Sequence, residues 1–206
     1  MKKQLIAVVS ALAMTFASLP CVSIAAENVP KPVLQYTFDG NKQLADQNGK
    51  NELKLSDGAS VTDDGNKGKG LLLDGTDGYA KLPDNILSSD MTITTWVKIN
   101  KFTTWGRVFD FGTDSNQNFF FAPYSGGASR VEIKNGATVD TMDCTQETAK
   151  DWVNYAITIK GDTVSYYRNG RLIKSKSGIK DISELTNTAN YIGKSHYDGD
   201  AYLSAV

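Results

Sequence analysis

The stretch that decides the fold is Val153-Asn154-Tyr155-Ala156-Ile157-Thr158-Ile159-Lys160-Gly161-Asp162-Thr163-Val164-Ser165-Tyr166-Tyr167-Arg168-Asn169-Gly170-Arg171. Val153, Tyr155, Ile157 and Ile159 alternate with small or polar partners, the period of a strand with one buried face. Gly161-Asp162 suits a type II′ turn and Asn169-Gly170 a type I′ turn. Both match the right-handed twist of flanking strands. The spacing predicts a three-strand meander over 153–176.

Outward from it, the same signals recur. Residues 91–99 place Met91, Ile93, Thr95, Val97 and Ile99 on one face and Thr92, Thr94, Trp96 and Lys98 on the other. Residues 107–111 and 118–122 pair across a turn-rich 112–115, and 130–134 runs into Asn135-Gly136, a hairpin signal. Brief strand signals lie at 33–38, 53–55, 71–73 and 79–82. Helix is limited to single turns near 145–150 and 181–185. About a dozen short strands bounded by Gly, Asn and Asp imply a two-sheet antiparallel sandwich.

Composition narrows the function. The 206 residues are 40% hydrophobic and 22% charged, with 22 Lys and Arg against 23 Asp and Glu. Nucleic-acid binding usually shows a basic excess, so that partner is not expected. One His excludes a metal site with two His ligands. Lys2 and Lys3 precede an apolar run over 5–19, and small residues at Ser23 and Ala25 follow it. This is a secretory signal peptide over 1–26. The run of about 15 residues falls short of the roughly 20 that span a bilayer, so no membrane span is expected in the mature chain. Pro20 before Cys21 argues against lipidation. Cleavage removes Cys21 and leaves Cys144 alone, so no disulfide forms within the mature chain. Residues 27–32, with two prolines, read as a linker.

Four stretches in order resemble a known family. They are Tyr36-Thr37-Phe38-Asp39 with 44–51; Gly68-Lys69-Gly70-Leu71-Leu72-Leu73-Asp74-Gly75 with Tyr79; Met91-Thr92-Ile93-Thr94-Thr95-Trp96-Val97-Lys98 with Arg107-Val108-Phe109-Asp110-Phe111-Gly112; and Trp152-Val153-Asn154-Tyr155 with Tyr167-Arg168-Asn169-Gly170-Arg171. Together they resemble the laminin G-like jelly roll of the concanavalin A-like lectin/glucanase superfamily, over nearly all of 33–206. The resemblance implies an all-β, two-sheet antiparallel jelly-roll sandwich. Family members close with an acidic-aromatic strand that begins where residues 202–206 stand, so a fragment of a longer protein, lacking its last strand, is expected.

Catalysis finds little support. Glucanase relatives align Glu, Asp and Glu at alternating positions, and two carboxylates flanking the bond are the usual requirement. Glu27, Glu52, Glu132, Glu147 and Glu184 are the only glutamates, and none begins that pattern. Gly-x-Ser-x-Gly is also absent. Asp46-Gln47-Asn48-Gly49-Lys50-Asn51 gathers oxygen donors on a tight loop with Asp39 nearby. The resemblance implies a structural calcium, with Asp39, Asp46 and Asn48 as candidate ligands; the same residues also read as a solvated turn. Carbohydrate sites need aromatic platforms with polar neighbours. Trp105, Tyr124, His196 and Tyr197 lie in loops among polar residues and are the candidates, with one of Phe119-Phe120-Phe121 facing the concave sheet.

The expected function is a secreted, non-catalytic carbohydrate-binding or adhesion module of a larger carbohydrate-active protein, extracellular or at the cell surface. The signal and length have a bacterial look. A polysaccharide or glycan is the expected partner, and the oligomeric state stays open. Two alternatives stand beside it. One is an N-terminal piece of an arabinofuranosidase- or xylosidase-type glycoside hydrolase. The other is a protein–protein adhesion domain.

Overall fold

Gly161, at φ +56°, and the pair Asn169 and Gly170, at φ +50° and +75°, turn the chain as the sequence requires. A computed structural model describes residues 31–206; the expected signal peptide and most of the linker lie outside the described residues. The strands, in chain order, are Lys54–Leu55 (β1), Ala59–Thr62 (β2), Gly70–Asp74 (β3), Ala80–Leu82 (β4), Met91–Val97 (β5), Ile99–Lys101 (β6), Phe109–Asp114 (β7), Gln117–Ala122 (β8), Ala128–Asn135 (β9), Thr138–Thr145 (β10), Val153–Lys160 (β11), Thr163–Arg168 (β12), Arg171–Ser177 (β13), Asn190–Ile192 (β14) and Ser204–Ala205 (β15). The one helical piece described is a single 3-10 turn at Ile182–Glu184, capped by the Asp181 carboxylate, which accepts from the Ser183 N–H. No helix among the described residues is long and apolar enough to cross a membrane.

One sheet has seven strands in the order β1-β4-β14-β7-β8-β9-β10. Facing it are β13-β12-β11-β5 and β2-β3-β15-β6. β5 runs into β6 through Lys98, whose backbone exchanges hydrogen bonds with Val206 (2.8 and 3.0 Å), so the two four-stranded sheets share one backing layer. All pairings are antiparallel. The core between the layers takes the inward residues: Phe109, Phe111, Phe119, Phe121, Val131, Ile133 and Met142 from the larger sheet, and Val97, Val153, Tyr155, Ile157, Ile159, Val164 and Tyr166 from the other. Lys174 Nζ donates to the Asp143 carbonyl (2.9 Å) and Lys176 Nζ to Asp140 (2.9 Å), tying the edge strands β13 and β10 together.

Buried Asn190 joins two loops to β7. Its amide donates to the carbonyls of Pro83 (2.7 Å) and Asn187 (3.1 Å), and its Oδ1 accepts from the Gly112 N–H (3.1 Å). Two local expectations shift. Residues 33–38 form no strand: Phe38 adopts φ +62°, which breaks an extended run, and the backbone there meets only Gln47, through Gln35 (2.8 Å). The Asn135-Gly136 turn moves by one residue. Asn135 pairs with Thr138 inside the ladder, so Gly136-Ala137 makes the loop, and only Gly136 is left-handed.

Candidate functional site

Strand alternation builds the site on the face of the seven-stranded sheet that points away from the core. On β8, Phe119 and Phe121 enter the core, so Asn118 and Phe120 face the other way. The same alternation turns Asp110 of β7 and Arg130 and Glu132 of β9 onto this outer face. The loop after β14 folds over them with Ser195, His196, Tyr197 and Asp200, and the loop after β6 brings Trp105. Trp105 itself sits at φ +68°, an uncommon conformation for a bulky residue. The result is a depression of about 250 Å³ lined by Trp105, Arg107, Phe120, Arg130, Glu132, Tyr197 and Asp200. It is somewhat smaller than the roughly 300–1,000 Å³ usual for small-molecule pockets.

Arg107 is its floor. Only 2% of the side chain is exposed. The guanidinium lies 3.8 Å from the Phe120 ring centroid. Nη1 donates to the Trp105 carbonyl (3.0 Å) and Nη2 to Asp200 Oδ2 (3.0 Å). Nε lies 3.6 Å from Asp110 Oδ2. Burial pulls the guanidinium pKa down, while Asp110, Asp200 and Glu132 push it back up; arginine stays charged throughout.

Asp110 is fully buried and connects this floor to the covering loop. Its Oδ2 accepts the His196 backbone N–H (3.0 Å), and its Oδ1 lies 2.8 Å from His196 Nδ1. The loop is tied again at Asp200, whose Oδ2 also accepts from Ser195 Oγ (2.7 Å). Ser195 Oγ in turn accepts from the Tyr197 N–H (3.0 Å).

The far wall is Arg130. Its Nε and Nη2 form a two-point pair with Asp143 (2.7 and 2.9 Å). That pair raises the Arg130 pKa and holds the Asp143 carboxyl below the usual range. Arg130 Nη1 reaches Glu132 Oε2 (3.4 Å), which also accepts from Thr141 Oγ1 (3.1 Å). Trp105 stands beside both guanidinium groups, 5.2 Å from each. Tyr197 is flanked by Lys134 Nζ, 5.4 Å from its ring centroid. Chemically, the depression offers two aromatic walls over a buried Arg107–Phe120 stack, and carboxylate and guanidinium groups fixed by their own hydrogen bonds.

Of the four aromatic candidates, the structure brings Trp105 and Tyr197 together in this lining. His196 lies behind it, clasped by Asp110. Tyr124 is outside the lining residues. Its carbonyl accepts the Trp105 N–H (3.0 Å) and its ring meets Phe102 edge-on at 6.5 Å, so it braces the Trp105 turn. Arg107, Arg130, Glu132 and Asp200 are additions. The alternation of β9 placed Arg130 and Glu132 on one face, but nothing local joined them to residues 195–200.

Two of the three residues expected to hold calcium, Asp46 and Asp39, make hydrogen bonds of their own. Asp46 Oδ1 accepts the N–H groups of Lys50 (2.8 Å) and Asn51 (3.2 Å), and Oδ2 accepts from Asn51 Nδ2 (2.9 Å). These bonds hold the Asp46 carboxyl below its ordinary range. Asp39 Oδ1 instead accepts the Lys69 N–H (2.9 Å). No hydrogen bond of Asn48's side chain joins it to either. Among the described residues no three His, Cys, Asp or Glu side chains gather as a metal cluster. Calcium wants six to eight oxygens with free lone pairs, and a carboxylate already facing three N–H donors fits that poorly.

A two-layer antiparallel sandwich with a walled, polar depression on the outer face of its larger sheet defines a jelly roll of the concanavalin A-like class. The family model of the concanavalin A-like lectin/glucanases superfamily matches residues 74–206, and the chain belongs to that family. The chain is 28% identical over 191 residues to an alpha-L-arabinofuranosidase of Bifidobacterium longum subsp. longum. That match takes in 81% of this chain and only 18% of the enzyme's length. Among solved structures it resembles domain 4 of AbnA, a GH43 extracellular arabinanase from Geobacillus stearothermophilus, in complex with arabinotriose. There the TM-score is 0.71 at 21% identity, over 84% of this chain and 87% of that one. It also resembles the CBM40 of a Ruminococcus gnavus IT-sialidase bound to alpha2,3 sialyllactose, with TM-score 0.50 and 17% identity over 58% and 73% of the two chains. A botulinum neurotoxin serotype D/C binding domain shares the fold at TM-score 0.61 and 15% identity, over 84% of this chain and 46% of that one.

Proposed function

We propose that this chain is a non-catalytic carbohydrate-binding module that holds a larger, secreted carbohydrate-active protein on its polysaccharide. The observation that carries the reading is the depression itself, where Trp105 and Tyr197 flank a fixed array of Arg107, Arg130, Glu132 and Asp200. An aromatic face takes the apolar face of a sugar ring, and fixed polar groups take its hydroxyls. The match to an arabinofuranosidase and the likeness to an arabinanase domain solved with arabinotriose support arabinose-containing glycans as the first to try. Tethering by such a module works by raising the effective concentration of the attached enzyme at its substrate.

The test is retention in a native gel containing arabinan, with calorimetry on arabino-oligosaccharides. Trp105→Ala is expected to weaken binding by roughly 10-fold or more, in line with about 1.4 kcal/mol per decade and an aromatic anchor worth about 2 kcal/mol. Its melting temperature should stay near the parent's. Unchanged retention with an intact fold would remove Trp105, and the depression with it, as the binding face.

The Asp46 turn is already closed by three N–H donors of its own. The melting temperature of the mature protein is therefore expected to be the same in chelator and in millimolar calcium. A clear rise on adding calcium would restore a structural ion at the loop carrying Asp46 and Asn48.

A further inference from the structure

We propose that this depression selects neutral glycans and rejects acidic ones, with Glu132 and Asp200 as the specificity-determining residues. The inference rests on the carbohydrate-binding reading and deepens it.

Two arginines in a lining would ordinarily mark a clamp for a carboxylate, because a guanidinium offers planar two-point edges that match one. Here those edges are occupied. Arg130 gives its Nε–Nη2 edge to Asp143 and its Nη1 to Glu132. Arg107 spends Nη1 on the Trp105 carbonyl and Nη2 on Asp200, with Nε turned to Asp110. Its flat face is covered by Phe120. The Nε–Nη2 edge of Arg130 is thus taken and Arg107 is almost wholly buried, so neither turns an open Nε-side edge toward a uronate or a sialic acid. Such a group would instead approach two carboxylates in the wall and two more behind it.

The acceptors are arranged the other way. Glu132 uses Oε2 for both of its hydrogen bonds, and Asp200 uses Oδ2 for both of its own. Among the described residues nothing donates to Glu132 Oε1 or Asp200 Oδ1. Both residues line the depression. A sugar hydroxyl donates a hydrogen, and a carboxylate oxygen is a strong acceptor for it. The lining is thus poor in free cationic edges and carries two open anionic acceptors, which is complementary to a hydroxyl-rich, uncharged ring.

The experiment titrates the mature protein with three probes at equal salt: an arabino-oligosaccharide, an oligogalacturonate and alpha2,3-sialyllactose. Binding of the neutral probe is expected to be at least 10-fold tighter than that of either acid. Glu132→Gln keeps shape and removes charge, so it should weaken the neutral probe by roughly 10-fold and narrow the gap to the acids. Asp200→Asn should act in the same direction, with melting temperature recorded because Asp200 also holds Arg107. An acidic probe that binds as tightly as the neutral one, or a Glu132→Gln protein with unchanged preference, overturns the selectivity and leaves the glycan reading standing. Binding of none of the probes, with no response to Trp105→Ala, overturns the glycan reading itself and this inference with it.

Discussion

Asp110→Ala is expected to cost about 3–5 kcal/mol of stability, the usual penalty for removing one partner of a buried ion pair. Asp110 is fully buried, and so is the cation it faces. Without it the Nε side of Arg107 looks at no carboxylate, while the guanidinium remains shut away from water. The His196 backbone N–H and ring nitrogen lose their acceptor in the same step. The side chains of the loop carrying Tyr197 and Asp200 are then tied to the sheet through Arg107 and Lys134, with Ser195 bracing the loop internally. Glycan binding should therefore fail even in protein that remains folded. Urea unfolding measures the first effect, and limited proteolysis within 194–202 the second. Asp110→Asn keeps one acceptor oxygen and should fall between the parent and Asp110→Ala. A loss below about 1 kcal/mol, the worth of an exposed pair, would mean that the cluster is not the buried latch described.

Phe121→Ala should be comparably severe, at about 3–5 kcal/mol for a buried phenylalanine emptied to a methyl. Phe121 is 1% exposed. Its ring packs 5.1 Å from Tyr155 and 5.0 Å from Tyr166, so it is where β8 of one layer meets β11 and β12 of the other. Burial and the nearby Glu147 push the Tyr155 hydroxyl pKa far up, and the hydroxyl donates to Glu147 Oε2 (3.2 Å). The neighbouring Phe120→Ala separates the two faces of one strand. It removes the ring under Arg107 and should damage glycan binding more than the sandwich core. Equal losses of stability and equal losses of binding in the two variants would contradict the alternation on which the site is built.

The meander β11–β12–β13 is legible because the inward residues of β11 alternate without a break and its turns demand Gly and Asn where the backbone is left-handed. β10 is not. Thr138, Asp140, Thr141, Asp143 and Thr145 give it a polar look because only Met142 is fully buried along it. β14 and β15 are three and two residues long, too short to carry a period. Residues 33–38 show the opposite failure, an apolar alternation with no ladder to join. In the site, Trp105 and Tyr197 stood out as aromatic residues among polar loop neighbours. The Arg107–Asp200 pair did not, because its partners are 93 residues apart and only the fold brings them together. Asp46 is ambiguous for a related reason: a carboxylate capping its own turn has the same local sequence as one that holds a cation.

The placement of β15 has a consequence for how the molecule comes together in time. Ser204 pairs with Asp74 on one side and Lys101 on the other, so these two residues bridge strands that have no direct ladder with each other. While the chain folds, the hairpin of β2 and β3 and the short β6 wait with bare edges. Pairings between distant segments close slowly, typically in milliseconds to seconds for all-β chains. Open edges are where neighbouring nascent chains join wrongly. The facing edges of β3 and β6 therefore stay open until residues 204–205 have docked between them, and the hazardous interval of folding lasts that long.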